Sequence, residues 1–171
     1  MGITVRRIRL GLTLTLALST VGLSPPSSAA AGPSGMACPR EGVVSITPGL
    51  TTSDRDFSVV DLGTYGPCQM PDGSVLSGKL TAEGTGHGSC SNGTAAGRIH
   101  IAWSNGAVTT GRFDVVYHSP VALVVYPVTE GAFAGTNRSR SVLFLTPAEP
   151  GLCFSTGIAQ SAYQGVITFR P

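Results

Sequence analysis

The chain has 171 residues, of which 42% are hydrophobic, 12% charged and 6% aromatic, with 23 Gly, 12 Pro, 4 Cys and a formal net charge of +2. So little charge excludes a polyelectrolyte tail, a coiled coil and charge-driven disorder, and the length points to a single domain.

The first element in chain order is an export signal. Arg6, Arg7 and Arg9 precede an apolar run, Leu10 to Leu23, and SPPSSAAAG follows with Ala29 and Ala31 placed for cleavage. Fourteen residues rise about 21 Å as a helix, short of the roughly 30 Å of a bilayer core. Residues 1–31 therefore read as a removed secretory signal peptide, not an anchor, and the Arg6-Arg7 pair lacks the flanking residues of the twin-arginine route. Without them, eight basic residues face nine acidic ones, a formal charge of −1. Lys79 is the lone lysine and no basic cluster remains, so nucleic acid and anionic membrane surfaces are poor partners. The expected product is secreted, extracellular and monomeric, with no membrane anchor.

Residues 32–42 are small and proline-broken and read as a flexible lead-in anchored at Cys38. From 43 to 171 a single all-β domain is expected. No window of 11 or more residues carries a helical apolar period, whereas short Val/Ile/Thr/Phe/Tyr runs alternate with Gly, Pro, Asn and Ser. The predicted strands are 43–46, 56–65, 74–84, 95–104, 107–118, 121–129, 139–146, 152–158 and 163–169. About eight or nine strands, with a turn signal every 8–12 residues, predict an antiparallel barrel or a two-sheet sandwich.

Three segments give sharper expectations. Glu83 to Cys90 (EGTGHGSC) carries alternate glycines, but no helix follows to bind a phosphate, so it reads as a mobile loop held at Cys90. In Gly97 to Val108, Ile99, Ile101 and Trp103 form one apolar face, and Asn105-Gly106 predicts a two-residue type I′ turn. That turn would pair Ile101 with Thr110, leaving Phe113, Val115 and Tyr117 on the wrong face, so a β-bulge is expected near Thr110-Gly111. Val121 to Val128 (VALVVYPV) is continuously apolar and reads as a central strand covered on both faces, in preference to a sheet edge exposed for a partner.

Cys38, Cys68, Cys90 and Cys153 are separated by 29, 21 and 62 residues, spacings that suit disulfides and not metal ligation. Three pairings are open. Cys38–Cys68 with Cys90–Cys153 is the expected one, the first joining the N-terminal segment to the end of an early strand.

Chemistry is sparse. His87, His100 and His118 are the chain's histidines, and His100 and His118 share the hairpin region, but no ligand set accompanies them and no metal or cofactor is expected. The Gly-x-Ser-x-Gly elbow fails at Gly86-His87-Gly88-Ser89-Cys90. Asp54, Asp56 and Asp61 are the carboxylates a glycosidase would need, yet their Ser/Thr-rich setting reads as a solvated strand edge. No catalytic residue is assigned. Asn92-Gly93-Thr94 and Asn137-Arg138-Ser139 match the glycosylation sequon.

The strand Gly97–Trp103 ending in Trp-Ser-Asn-Gly, with Gly88-Ser89-Cys90, Gly131-Ala132-Phe133-Ala134-Gly135, Cys153 and Gly165-Val166-Ile167-Thr168, resembles small secreted disulfide-bonded β-domain proteins of actinobacteria of the Streptomyces type. The resemblance implies a disulfide-bonded barrel or sandwich of bacterial origin, silent sequons, and no transferable active site. A weaker likeness is to exported subtilisin-inhibitor-like proteins of the same bacteria, without a matching reactive-site segment around Cys68-Gln69-Met70-Pro71.

The expected function is a non-enzymatic extracellular binding module whose partner is a protein or a polysaccharide. A secreted protease-inhibitor-like or effector protein is the alternative, through exposed loops at 66–73 or 84–90, and an enzyme is third. A polysaccharide platform would draw on Trp103, Tyr65, Tyr117, Tyr126 and Tyr163, and burial of Trp103 would count against it.

Overall fold

Alternation of inward and outward side chains, broken at register shifts such as that between Tyr65 and Cys68, organises the chain from Met36 onward. The computed structural model describes residues 36–70, 72–135 and 139–169. The expected signal peptide and Asn137 of the second sequon lie outside these residues.

Nine strands form one antiparallel sheet: β1 (Met36–Leu50), β2 (Arg55–Gln69), β3 (Val75–Gly88), β4 (Asn92–Trp103), β5 (Val108–His118), β6 (Val121–Tyr126), β7 (Val128–Gly131), β8 (Ser139–Pro147) and β9 (Ile158–Phe169). Strands β1 to β6 pair in chain order, β6 pairs with β8, β8 with β9 and β9 with β1, which closes the sheet into a barrel. Closure removes the free edges on which an open sheet would aggregate. Eight strands make the wall. The short β7 continues beyond Pro127 and pairs with the other half of β5. Of the two expected architectures, the barrel is the one formed.

Several expectations are corrected. Residues 36–42, read as lead-in, belong to β1 and pair with β9; Met36 and Cys38 face the core. The segment 152–158, read as a strand, begins as a 3-10 turn, Pro150–Phe154, and only Ile158 is strand. Residues 84–88, read as loop, are the end of β3, and the connection to β4 is Ser89–Ser91. Val121–Tyr126 is central, but its outward face is open: Leu123 is 54% exposed. It pairs in register with Val116 on β5 and Val142 on β8, and Val142 pairs with Val166 on β9, a row of outward apolar side chains.

The β4–β5 ladder is regular from Asn92↔His118 to Ala102↔Val108, so no bulge interrupts it at Thr110-Gly111. The parity conflict is resolved in the turn. The Trp103 N–H donates to the Ala107 carbonyl at 2.9 Å and the Trp103 carbonyl accepts from the Gly106 N–H at 3.0 Å, closing a three-residue loop with Gly106 at φ +83°. Asn105 is not left-handed. Its carboxamide oxygen accepts from the Ala107 N–H at 3.0 Å, so only the glycine needs positive φ. The register shift at Thr110/Gly111 exists on the opposite side, against β7.

One end of the barrel is filled by rings. Trp103 stacks on Tyr65 (centroids 5.8 Å apart) and meets Phe133 and Phe169 edge-on at 5.3 and 6.0 Å. Phe133 comes from the loop after β7, held at φ +67°, a strained value for a residue with a side chain, so burial of its ring offsets a backbone cost. The Trp103 indole N–H donates to Thr109 Oγ1 at 2.8 Å, and Thr109 donates to the Ala132 carbonyl at 2.6 Å, which ties the loop to the ring cluster. The Cys38–Cys68 disulfide joins β1 to β2 at this end.

The other end is roofed by loops. Cys90–Cys153 joins the β3–β4 turn to the 3-10 turn. The N–H of Cys90 donates to the Thr51 carbonyl at 2.8 Å and that of Thr52 to the Cys153 carbonyl at 3.1 Å, adding the β1–β2 turn. Both disulfides have the expected pairing, and they fit an oxidising, extracellular-type environment.

Candidate functional site

The inward positions of β1 read Met36, Cys38, Arg40, Gly42, Val44 and Ile46, and those of β2 read Phe57, Val59, Asp61, Gly63 and Tyr65. The alternation that builds the core therefore carries one arginine and one aspartate into the barrel. Arg40 is 3% exposed. Its Nη2 donates to Asp61 Oδ2 at 2.5 Å, and its Nη1 donates to the Tyr126 hydroxyl. The Tyr163 hydroxyl donates to the other Asp61 oxygen, Oδ1, at 2.6 Å. Three tyrosine rings surround the guanidinium, with its carbon 4.7 Å from the Tyr163 centroid, 5.4 Å from Tyr126 and 5.6 Å from Tyr65. The glycine pair Gly42↔Gly63 makes room for this layer, because a Cβ at either position would collide with the Tyr163 hydroxyl.

Electrostatics follow from burial. Removal from water pushes the Asp61 carboxyl above the usual aspartate range, against the opposing pull of Arg40 and the Tyr163 hydrogen bond. Burial also works against the Arg40 charge, but Tyr65, Asp61 and Tyr163 outweigh it and hold the guanidinium protonated. Burial pushes the Tyr65 phenol up to about 12, and the Tyr163 phenol is raised as well. Two buried polar atoms in this layer lack a partner among the described residues, Arg40 Nε and the Tyr65 hydroxyl. Such groups carry a desolvation penalty until something hydrogen-bonds them.

Between the charged layer and the roof lies a cavity of about 110 Å³. Arg40, Asp61, Tyr126 and Tyr163 border it, together with Ser161 and the Tyr117 ring, and its remaining wall is aliphatic or phenyl. Val44, Val115 and Leu145 occupy inward positions yet are only partly buried. The surface they retain faces this space. Tyr117 is held at the roof by donating to the Ser89 carbonyl at 2.7 Å.

The alternate glycines of β3 serve the same interior. Gly84 and Gly86 sit at inward positions opposite Gly97 and Ala95 on β4. A Cβ at Gly84 would lie 2.8 Å from the Phe113 ring, and one at Gly86 would strike Phe57. The motif that resembles a phosphate loop in spacing is a floor on which rings lie.

The structure disperses the other residues singled out from sequence. His100 pairs with Thr110 and His118 with Asn92, at separate places on the β4–β5 ladder. His87 Nδ1 lies 2.8 Å from Asp56 Oδ1 on the exposed outer face. Among the described residues no three His, Cys, Asp or Glu side chains gather as a metal site. Asp54 and Asp56 are outward, as expected. Asp61, read with them as a solvated edge, is instead interior, and its parity with Phe57, Val59 and Tyr65 was the signal for that. Arg40 was missed because its segment was read as lead-in. Trp103 is 4% exposed and the four tyrosines are 7% or less, so these rings form no platform for a surface polysaccharide. Gly66 to Gln69 lies in β2 and 84–88 in β3, which leaves the inhibitor reading the turn residues 72–74, bonded back to Met70, and the short Ser89–Ser91 connection.

Chemically, the site presents an apolar body and one polar end. Each Asp61 oxygen accepts one hydrogen bond, from Arg40 and from Tyr163, and the carboxylate is the counter-ion of the buried guanidinium. No family model, curated protein or solved structure matches the chain.

Proposed function

We propose that the protein is an exported, non-enzymatic binding module whose site is the barrel interior, where it takes up a small, largely apolar molecule. The inward but incompletely buried Val44, Val115 and Leu145 carry this reading: a core that only supports a scaffold closes over such side chains, and this one leaves space above them. Ligand sites are mostly apolar cavities with a few convergent polar groups, and barrel interiors are a common place for them. An apolar cavity of about 150 Å³ stays dry and admits benzene or xenon, so about 110 Å³ suits a molecule of one small ring. Export is part of the proposal and draws on the N-terminal pattern, with which the two disulfides agree.

The test is a xenon titration of the oxidised protein followed by methyl chemical shifts. Saturable shifts at Val44, Val115 and Leu145 are expected, and Val115→Phe, which fills the space, should abolish them. Absence of shifts at those methyls, with the protein folded, overturns the reading.

A further inference from the structure

Resting on that reading, we infer that the cavity selects an uncharged ligand with one hydrogen-bond-accepting oxygen, a ketone, ether or alcohol on a ring-sized apolar body, and rejects carboxylates and amines. Charge balance decides the first half. Arg40 and Asp61 neutralise each other at 2.5 Å, and no other Lys, Arg, Asp or Glu borders the cavity. A carboxylate entering here would meet a guanidinium already matched by a carboxylate, and would give up its hydration without a counter-ion of its own. An ammonium would need Asp61, whose charge is already matched by Arg40 and whose oxygens each already accept a bond, from Arg40 and from Tyr163.

The second half comes from the unsatisfied donor. Of the guanidinium, Nη1 and Nη2 are engaged by Tyr126 and Asp61, while Nε is buried without a partner. Arg40 borders the cavity, so the N–H in need of an acceptor belongs to the side chain a ligand would touch. An oxygen acceptor satisfies that N–H and adds no charge to a balanced pair. Hydrogen bonds to a charged partner are the stronger kind, which supports a preference of about tenfold or more over the same ring without oxygen.

The experiment uses the oxidised chain and four matched probes: cyclopentane, cyclopentanone, cyclopentanecarboxylate and cyclopentylamine. Dissociation constants are read from the Val44, Val115 and Leu145 methyl shifts. Cyclopentanone should bind about tenfold or more tighter than cyclopentane, with the two charged probes weaker than either. Arg40→Lys keeps a cation and lacks the guanidinium Nε–H, and it should erase the advantage of the ketone while cyclopentane binds as before. If that variant does not fold, the wild-type order of the four probes decides alone. Equal binding of ketone and hydrocarbon, or tightest binding of the carboxylate or amine, overturns the ligand class and leaves the cavity reading standing. Failure of all four probes and of xenon to shift the methyls overturns the cavity reading itself.

Discussion

Arg40 and Asp61 stand on adjacent strands but not opposite each other. Arg40 pairs with Tyr65 and Asp61 with Val44, so the guanidinium extends four residues along β2 to hold the carboxylate at 2.5 Å. A buried pair of this kind gains little over an apolar substitute, yet removing one partner strands the other charge. Arg40→Met should therefore destabilise the protein by about 3–5 kcal/mol, and adding Asp61→Leu should recover most of that loss. Denaturant unfolding of the two singles and the double measures it; additive losses would show that the pair acts through packing alone.

Asp61 also makes stability depend on pH in a definite direction. Burial raises its folded-state pKa above the value of the unfolded chain, so the native state binds the proton more tightly. The contribution of this group is fully present below the ordinary aspartate value, about 3.9, and is lost as pH rises through the elevated folded value. Relative to Asp61→Asn, the wild type should lose stability from about pH 4 upward and then level off. Parallel unfolding curves at stepped pH test the sign, and a wild type that gains stability over Asp61→Asn across that window contradicts it.

The phenols set the alkaline limit. Burial holds Tyr65 and Tyr117 at about 12, and Tyr163 is raised further. Their neutral forms favour the folded state, so this stability is intact below pH of about 10 and is lost as pH climbs through the folded values. Tyrosinate absorbance should show these three lagging behind free tyrosine, with their ionisation coinciding with loss of the near-ultraviolet circular dichroism signal. Ordinary titration near 10 in a protein that stays folded would contradict their burial.

Much of the fold is legible in the sequence, because a period of two with frequent turn residues leaves little besides antiparallel strands. The cysteines and the Ile99-x-Ile101-x-Trp103 face fall where that reading puts them. The failures have a common physical source. Inward positions were recognised by hydrophobicity, and this barrel places Arg40, Asp61 and several glycines there. Only continuing the alternation from Cys38 through Arg40 to Val44, or from Phe57 through Asp61 to Tyr65, exposes the charged layer. Nothing local in sequence pairs Arg40 with Asp61 or Tyr163, because β1–β9 closure brings residues 40 and 163 together. The three-residue turn at Ser104–Gly106 escaped for a different reason. Asn-Gly serves more than one turn type, and register across the whole ladder, not the dipeptide, selected it.

Two glycines that look alike in sequence should answer oppositely to alanine. At Gly63 a Cβ would collide with the Tyr163 hydroxyl and come within 2.8 Å of the Glu41 carbonyl. Gly63→Ala should displace Tyr163 from Asp61 and cost about 1–3 kcal/mol. At Gly151, in the 3-10 turn, nothing lies within 4 Å and no left-handed φ is required. Gly151→Ala should be neutral or stabilise by up to about 1 kcal/mol, because it restricts the unfolded chain. Midpoints of chemical denaturation separate the two, and equal losses would mean that Tyr163 does not depend on the space at Gly63.

The two disulfides differ in what they close. Cys38–Cys68 spans 30 residues and Cys90–Cys153 spans 63. Loop entropy in the unfolded chain makes them worth about 3.6 and about 4.3 kcal/mol, a difference too small to distinguish by stability alone. Location separates them better. Cys90–Cys153 holds three roof connections through the bonds of Cys90 to Thr51 and Thr52 to Cys153, whereas Cys38–Cys68 sits beside the ring cluster at the far end. Replacing Cys90 and Cys153 together by alanine should speed hydrogen exchange at the amides of residues 52 and 90, and should speed xenon exchange with the cavity. Replacing Cys38 and Cys68 should leave both rates near wild type while lowering global stability by a similar amount. Hydrogen exchange at residues 52 and 90 in the two double variants is the deciding measurement. A uniform acceleration in both would show that the roof opens only by global unfolding, and a selective one would make Cys90–Cys153 the latch over the cavity.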